Sequence, residues 1–260
     1  MAYTPFDLTG KVALVTGGNG GIGLGMADAM AAAGASVVVW GTNGDKNKAA
    51  EESLAKHGVK IVSRKVDVSS ESEVAEGMVD AVTRMGRIDA VFANAGIGSP
   101  ARSFLEMTTE QYRKVLAVNL DGVFFTMREA ARHMRERAAR GDKGGSLVGI
   151  ASLAAIEGAA RNEHYAASKG GVISMMRSIA VEFARDGVRA NTILPGWIAT
   201  DMTAGAQSSP AFAEKVIPRV PMRRWGEPAD FGGIAVYLAS NASAFHSGDT
   251  FLIDGGYAIF

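Results

Sequence analysis

A glycine-rich loop near the amino end of the chain constrains the fold more than any other feature of the sequence. The loop, Thr16-Gly17-Gly18-Asn19-Gly20-Gly21-Ile22-Gly23, follows the β-branched apolar run 12–15 and precedes apolar residues at helical spacing up to Gly34. These patterns predict a buried strand, a tight loop and a helix. Five glycines in seven positions are entropically costly, which indicates that a phosphate approaches bare N–H groups at the helix start.

The loop matches two dinucleotide-binding spacings, G-x-G-x-x-G and T-G-x-x-x-G-x-G. Each spacing alone is a weak signal, but the flanking strand and helix make a dinucleotide site the favoured prediction. The alternative is a tight βα turn that needs glycine only for packing.

Seven apolar, β-rich runs alternate with helical patterns along the chain. The predicted strands are 12–15, 36–40, 60–66, 90–93, 146–150, 190–194 and 250–253. The predicted helices are 21–33, 46–57, 72–85, 110–139, 164–185 and 228–239. This alternation predicts an α/β fold with one doubly wound, seven-stranded parallel sheet and helices on both faces. The length suits a single domain, 1–260.

Composition argues against several classes of function. Lys plus Arg and Asp plus Glu number 27 each, so no net charge attracts nucleic acid or an anionic membrane. There is no cysteine, and the four histidines lack metal-ligand spacing, so we expect no metal site. With neither a secretory signal nor a long apolar run, we expect a cytoplasmic protein with a small-molecule substrate.

Three residues in the second half of the chain are candidates for proton chemistry. Tyr165 and Lys169 are four apart and share one face of the predicted helix. A nearby ammonium lowers the pKa of a tyrosine by favouring the phenolate. Ser152, just past the fifth strand, is placed to donate to the same substrate oxygen. A Tyr-Lys pair alone is most often structural, but after a glycine loop it indicates catalysis.

The segment 197–226 is the least regular part of the chain and carries scattered large apolar residues. It follows the carboxyl end of a strand, where ligands bind in open α/β sheets. We therefore predict a substrate lid, with an ordinary packing loop as the alternative.

Over essentially its whole length, the chain resembles a single-domain short-chain dehydrogenase/reductase. The shared elements are the Thr16 to Gly23 loop, Asp67-Val68, Asn94-Ala95-Gly96, Asn119, Ser152, Tyr165, Lys169, Pro195-Gly196 and Asp254-Gly255-Gly256. The resemblance implies a Rossmann fold and an NAD(P)-dependent oxidoreductase that interconverts a secondary alcohol and a ketone. Candidate substrates are a 3-oxoacyl thioester, a sugar acid or a related hydroxy compound. The alternative is a non-catalytic dinucleotide-binding sensor or scaffold.

The resemblance also implies catalytic roles. Tyr165 would be the general acid in reduction and the general base in oxidation. Lys169 would bind the nicotinamide ribose and lower the pKa of Tyr165, while Ser152 would orient the substrate oxygen. Asn119 would position a water in a proton relay toward Lys169. His164 is expected to face solvent or substrate rather than to be catalytic.

Further residues are implied to bind the cofactor. Asp67 and Val68 would contact adenine, Asn94 would line the cleft, and Ile198 and Thr200 would face the carboxamide. The complete expected set is Gly17, Asn19, Gly21, Ile22, Gly23, Thr42, Asn43, Asp67, Val68, Asn94, Ala95, Gly96, Tyr165, Lys169, Pro195, Gly196, Ile198 and Thr200.

The end of the second strand, Trp40-Gly41-Thr42-Asn43, bears neither an acid for the ribose 2′-hydroxyl nor an arginine for a 2′-phosphate. Position 20 also lacks the basic residue of many NADP-dependent relatives. We expect NAD to be favoured over NADP, although Asn43, Lys46 or Lys48 are possible phosphate ligands. The helix face around Gly170 and Gly171 permits close approach, and the resemblance implies a homotetramer.

Overall fold

Residues 4–260 are described by a computed structural model of the chain, and they are built around one parallel sheet of seven strands. The strands are β1 (Val12–Thr16), β2 (Ser36–Gly41), β3 (Ile61–Lys65), β4 (Ala90–Ala93), β5 (Gly145–Ile150), β6 (Val188–Pro195) and β7 (Thr250–Ile253). All seven predicted strands are present, and the predicted α/β Rossmann fold is confirmed.

Helices cover both faces of the sheet. They are α1 (Gly21–Ala32), α2 (Gly44–Leu54), α3 (Glu71–Met85), α4 (Thr109–Leu116), α5 (Gly122–Ala139), α6 (Ala154–Glu157), α7 (Glu163–Glu182), α8 (Ala204–Gln207), α9 (Pro210–Val216) and α10 (Gly232–Ala239). Leu14 and Val91 of the central strands join one buried cluster, while the neighbouring Val15 and Phe92 join the other. The strands are continuously apolar because both of their faces are covered.

The strand order is β3-β2-β1-β4-β5-β6-β7. The winding reverses between β1 and β4, so the crevice beyond their carboxyl ends is where ligands bind in sheets of this kind. This position brings together the loops that follow β1, β4 and β5, although they are far apart in the sequence.

The predicted helix 110–139 is interrupted. A π-helical turn, Ala117–Asp121, separates α4 from α5. Gly171 of α7 lies against this turn, because a Cβ added to it would be 2.9 Å from Leu120 Cδ1. Gly171 therefore makes room for a residue of its own chain. Pieces of irregular helix of this kind often occur at functional sites.

The segment 197–226 contains more helix than the sequence indicates, with α8, α9 and short 3-10 turns. Its aromatic residues pack on one another: the ring centroids of Trp197 and Phe212 are 5.0 Å apart, and those of Trp197 and Trp225 are 6.0 Å apart. Among the helices of residues 4–260, none combines the length and apolar character that a membrane crossing requires.

Candidate active site

The glycine loop is fixed to β4 by two side chains at the carboxyl ends of the strands. Thr16 Oγ1 accepts hydrogen bonds from the N–H groups of Asn94 and Ala95, both at 3.0 Å. In return, Asn94 Nδ2 donates to the carbonyl oxygens of Thr16 (3.0 Å) and Gly17 (3.2 Å). Asn94 and Thr16 therefore both hold the shape of the loop. Thr16 was not among the expected cofactor-binding residues.

The glycines of the loop leave a cradle at the start of α1. Gly17 and Gly21 have φ values of 62° and 50°, the left-handed region that favours glycine. A Cβ at Gly23 would collide with the Gly17 carbonyl oxygen, whereas one at Gly20 would meet nothing within 4 Å. No side chain caps α1, so its first N–H groups are free for a ligand. This open, uncapped helix start fits the pyrophosphate of a dinucleotide.

Ser152, Tyr165 and Lys169 are brought together beyond β5. The Tyr165 hydroxyl lies close enough to the Ser152 side chain for Ser152 to lower its pKa. Lys169 Nζ donates to the carbonyl oxygen of Ile150 at 2.8 Å and lies 5.7 Å from the centroid of the Tyr165 ring. The expected face shared by Tyr165 and Lys169 is therefore turned toward the end of β5, with Ser152 beside it.

Burial shifts the pKa of two of these groups. Burial raises the pKa of Tyr165, and the nearby Ser152 side chain only partly offsets this. Burial also lowers the pKa of Lys169 to about 8. The expected lowering of the Tyr165 pKa by Lys169 is not found here, because the ammonium is directed to the Ile150 carbonyl and is itself disfavoured by burial. Lys169 is thereby able to exchange protons near neutral pH.

Asn119 lies in the π-helical turn and is completely buried. Its Oδ1 accepts from the N–H of Ile97 at 2.8 Å, and its Nδ2 donates to the Ile97 carbonyl oxygen at 2.9 Å. A Cβ added to Gly96 would be 3.3 Å from both Asn119 Oδ1 and Lys169 Nζ. Asn119 and Lys169 are therefore neighbours across Gly96, as the resemblance implies, but the Asn119 side chain is already occupied by the backbone of Ile97.

His164 does not face solvent, so that part of the expectation is corrected. It is 1% exposed, and both ring nitrogens lack a hydrogen-bond partner among the described residues. It lies one turn before Ser168 on the face of α7 that meets Asn119. Asn162 Oδ1 and Glu163 Oε2 are buried and unpartnered as well. The turn directly before Tyr165 is thus rich in unsatisfied polar atoms.

The expected adenine contacts lie beyond β3. Asp67 Oδ1 accepts from the N–H and Oγ of Ser69, at 2.9 and 2.7 Å, which shapes a tight turn. Val68 is buried and packs on Gly122 at the start of α5. Both residues lie at the carboxyl edge of the sheet, where Asp67 remains partly exposed.

The residues expected near the adenosine ribose have defined local roles. Asn43 Oδ1 accepts from the N–H of Lys46 at 3.0 Å and caps α2, while Thr42 is exposed. Asn19 Nδ2 donates to Asn47 Oδ1 at 2.7 Å. Asn47, which the sequence did not single out, is buried and donates to the carbonyl oxygen of Gly41. The glycine loop is therefore tied to the end of β2 through two asparagines.

The segment after β6 closes the crevice from the other side. Pro195 ends β6, and Gly196 packs closely on Asp254. A Cβ added to Gly21 would be 3.2 Å from Thr200 Cγ2, so Thr200 lies directly on the glycine loop. Ile198 is buried beside it, and Ile22 of the glycine loop is partly buried. A cavity of about 410 Å³ opens between this segment, Met222 and the end of β7.

A family model described as enoyl-(acyl carrier protein) reductase matches residues 17–258, which include the crevice and the Ser152, Tyr165 and Lys169 cluster. The chain belongs to the short-chain dehydrogenase/reductase family. It is an enzyme of the oxidoreductase class that acts on CH–OH groups with NAD or NADP.

Relatives in this family are similar along nearly the whole chain. The L-rhamnose 1-dehydrogenase (NAD(P)(+)) of Azotobacter vinelandii is 36% identical, over 96% of this chain and 97% of the relative. A 3-oxoacyl-(acyl-carrier-protein) reductase of Chlamydia pneumoniae is 33% identical, over 96% of this chain and 97% of the relative. The structure of a gluconate 5-dehydrogenase from Burkholderia cenocepacia in complex with NADP and tartrate has a TM-score of 0.92 at 32% identity, covering 98% of each chain.

Proposed function

We propose that this short-chain dehydrogenase/reductase interconverts a secondary alcohol and a ketone, with Tyr165 as its general acid and base. The grouping of Ser152, Tyr165 and Lys169 at the end of β5 is the observation that carries the proposal. A nicotinamide bound in the crevice supplies or accepts the hydride.

The chain's own residues handle the substrate oxygen and the proton. Ser152 Oγ donates to the substrate oxygen and holds it beside Tyr165. In reduction Tyr165 gives the proton of its hydroxyl to that oxygen, and in oxidation it takes the proton back. Lys169, whose pKa is about 8, returns the proton to the site. Asn119 acts as a positioning residue, because it fixes the backbone of Ile97 next to Gly96, across which Lys169 lies.

Substitution of Tyr165 tests this assignment. Tyr165→Phe should lower kcat by about 10²- to 10⁴-fold, because the proton donor is lost while the ring and its packing remain. Binding of the reduced dinucleotide, followed by its fluorescence, should stay within about twofold of wild type. Unchanged turnover would remove Tyr165 from the mechanism.

The cofactor site is proposed to combine the α1 cradle with the residues that surround it. Gly17, Asn19, Gly21, Ile22 and Gly23 bind the pyrophosphate side. The adenosine side is assigned to Thr42, Asn43, Asp67 and Val68, and the nicotinamide side to Asn94, Ala95, Gly96, Pro195, Gly196, Ile198 and Thr200. The uncapped start of α1 and the contact of Thr200 with the loop support this arrangement.

NAD is the proposed preferred cofactor. No arginine lies at the end of β2, and the Asn43 side chain is already used to cap α2. The related gluconate 5-dehydrogenase structure contains NADP. The preference of this chain between NAD and NADP is therefore tested by direct binding. NADH should bind more tightly than NADPH in a fluorescence titration, and a roughly tenfold preference for NADPH would overturn the proposal.

A sugar or a sugar acid is the proposed substrate class. Relatives that act on rhamnose and gluconate support it. A 3-oxoacyl thioester is the second candidate, favoured by the aromatic contacts of Trp197 and Phe212 in the proposed lid, 197–226. Initial rates with rhamnose, gluconate and a short 3-oxoacyl thioester, each with both cofactors, distinguish the two classes.

A homotetramer and a cytoplasmic location remain predictions. Apolar side chains exposed on α4, α5 and α7, namely Tyr112, Phe124 and Val181, support self-association. Light scattering that shows only monomer would contradict the assembly.

A further inference from the structure

An ion pair joins the two sides of the proposed cofactor crevice. Lys46 Nζ lies 2.7 Å from Asp201 Oδ2, although the two residues are 155 positions apart. Lys46 belongs to the first turn of α2, which Asn43 caps just beyond β2. Asp201 directly follows Thr200, which lies on Gly21 of the glycine loop. The pair therefore bridges the adenosine side of the crevice and the beginning of the segment 197–226.

Two other cations near this place have partners on their own side of the crevice. Arg64, at the end of β3, is 3.6 Å from both Glu76 and Asp80. Lys48, also on α2, is 3.9 Å from Glu52 in its own helix. The ammonium of Lys46 differs from these because its partner comes from across the crevice.

We infer that Asp201 determines the selectivity between NAD and NADP by occupying Lys46. A ribose 2′-phosphate carries up to two negative charges and needs a cation at the end of β2. In this chain the carboxylate of Asp201 competes with the phosphate for the same ammonium. NAD has no such phosphate and leaves the pair intact. The inference rests on the proposed cofactor site.

The exposure of the two side chains makes this competition possible. The Lys46 and Asp201 side chains are 55% and 89% exposed, so their pair is weakened by water and exchanges readily. The ammonium lowers the pKa of Asp201, whose carboxylate is ionised at neutral pH even without this effect. A phosphate dianion can therefore displace Asp201, and the cost of that displacement falls on NADP alone.

Removing the charge of Asp201 should release Lys46 for the phosphate. Asp201→Asn should tighten NADPH binding by about two- to fivefold and leave NADH binding unchanged. Lys46→Gln should weaken NADPH binding by about five- to tenfold, again with NADH unchanged. In the Lys46→Gln background, Asp201→Asn should have no further effect, because the two residues act through one interaction.

Glu52→Gln is the matched control. It removes one carboxylate beside one lysine of the same helix, but the pair does not cross the crevice. Its ratio of NADPH to NADH affinity should equal that of wild type.

The readout is equilibrium binding of NADH and NADPH, followed by nicotinamide fluorescence at low and moderate salt, with a thermal melt of each variant to confirm folding. An affinity ratio that Asp201→Asn leaves unchanged, or that Glu52→Gln shifts equally, overturns the inference. Equal weakening of both dinucleotides by Lys46→Gln also overturns it. Failure of wild type to bind either dinucleotide overturns the proposed cofactor site itself, and the inference with it.

Discussion

Arg137 and Lys169 are buried cations at opposite edges of the same sheet, and their surroundings differ. Arg137 donates to Asp142 at 2.9 Å and to the Ile88 carbonyl oxygen at 2.8 Å, and it lies 3.3 Å from Asp89. Among the described residues, the Ile150 carbonyl is the one hydrogen-bond partner given for the Lys169 ammonium, and burial lowers the pKa of Lys169 to about 8. Arg137, at the edge where the strands begin, is paired with two carboxylates, so it keeps a permanent charge and stabilises the structure. Lys169, at the edge where the strands end, has no counter-charge and can therefore change its protonation state.

The largest effect is expected from the unpaired cation. Lys169→Met should lower kcat by about 10²- to 10⁴-fold, because proton return to Tyr165 is lost. The free energy of unfolding at pH 7 should stay equal or rise, since a buried charge without a counter-charge is removed. Urea unfolding and steady-state rates measure the two effects. A large loss of stability would show that Lys169 is structural like Arg137.

The paired cation should behave in the opposite way. Arg137→Met should lower the free energy of unfolding by about 3 kcal/mol, because Asp142 and the Ile88 carbonyl lose their partner. The rate per folded molecule should be unchanged. Arg135→Met, on the same helix, is the control: Arg135 is half exposed and binds Asp186 at 3.0 Å, so its loss should cost below about 1 kcal/mol.

The contribution of Lys169 to the free energy of unfolding should depend on pH. The pKa of Lys169 is 10.5 in the unfolded chain and about 8 in the folded protein, so between these values the unfolded state binds more protons. Stability from this group therefore rises as pH increases from 8 to 10.5, by about 3 kcal/mol. The raised pKa of Tyr165 acts in the opposite direction above pH 10. Unfolding curves across this range should show the lysine-dependent rise in wild type but not in Lys169→Met.

The smallest effect is expected where a pair is exposed. Asp230 binds Arg224 at 2.6 and 2.8 Å, and this pairing holds the pKa of Asp230 at about 2. Asp230→Asn should nevertheless cost below about 1 kcal/mol, because both side chains are solvated. A cost as large as that of Arg137→Met would mean that pairing, and not burial, determines how much an ion pair contributes to stability.

Local sequence pattern predicted the strands and the glycine loop well. Strands such as β4, Ala90–Ala93, are uniformly apolar because helices cover both faces, and this signal needs no knowledge of the partners. The proximity of Ser152, Tyr165 and Lys169 was expected because helical spacing and position at a strand end define it. The break at 117–121 was not expected, because the helical pattern continues through it and the turn is shaped by packing against α7.

Residue chemistry at the site depended on contacts that no spacing reveals. His164 is followed by a tyrosine on a polar turn, yet it is buried because its face of α7 meets the region of Asn119. The Tyr165 pKa is set by burial and Ser152 rather than by Lys169. Thr16 and Asn47 stabilise the crevice through hydrogen bonds to strands that are distant in the sequence.

The sequence by itself determined which segments form strands, where the backbone must be bare glycine, and which side chains are candidates for the chemistry, because period, conformational freedom and residue type are local properties. The tertiary structure alone decided the charge state of Lys169, the place of His164 and the pairing of Lys46 with Asp201. These depend on burial and on distances between residues far apart along the chain, which only the folded sheet sets.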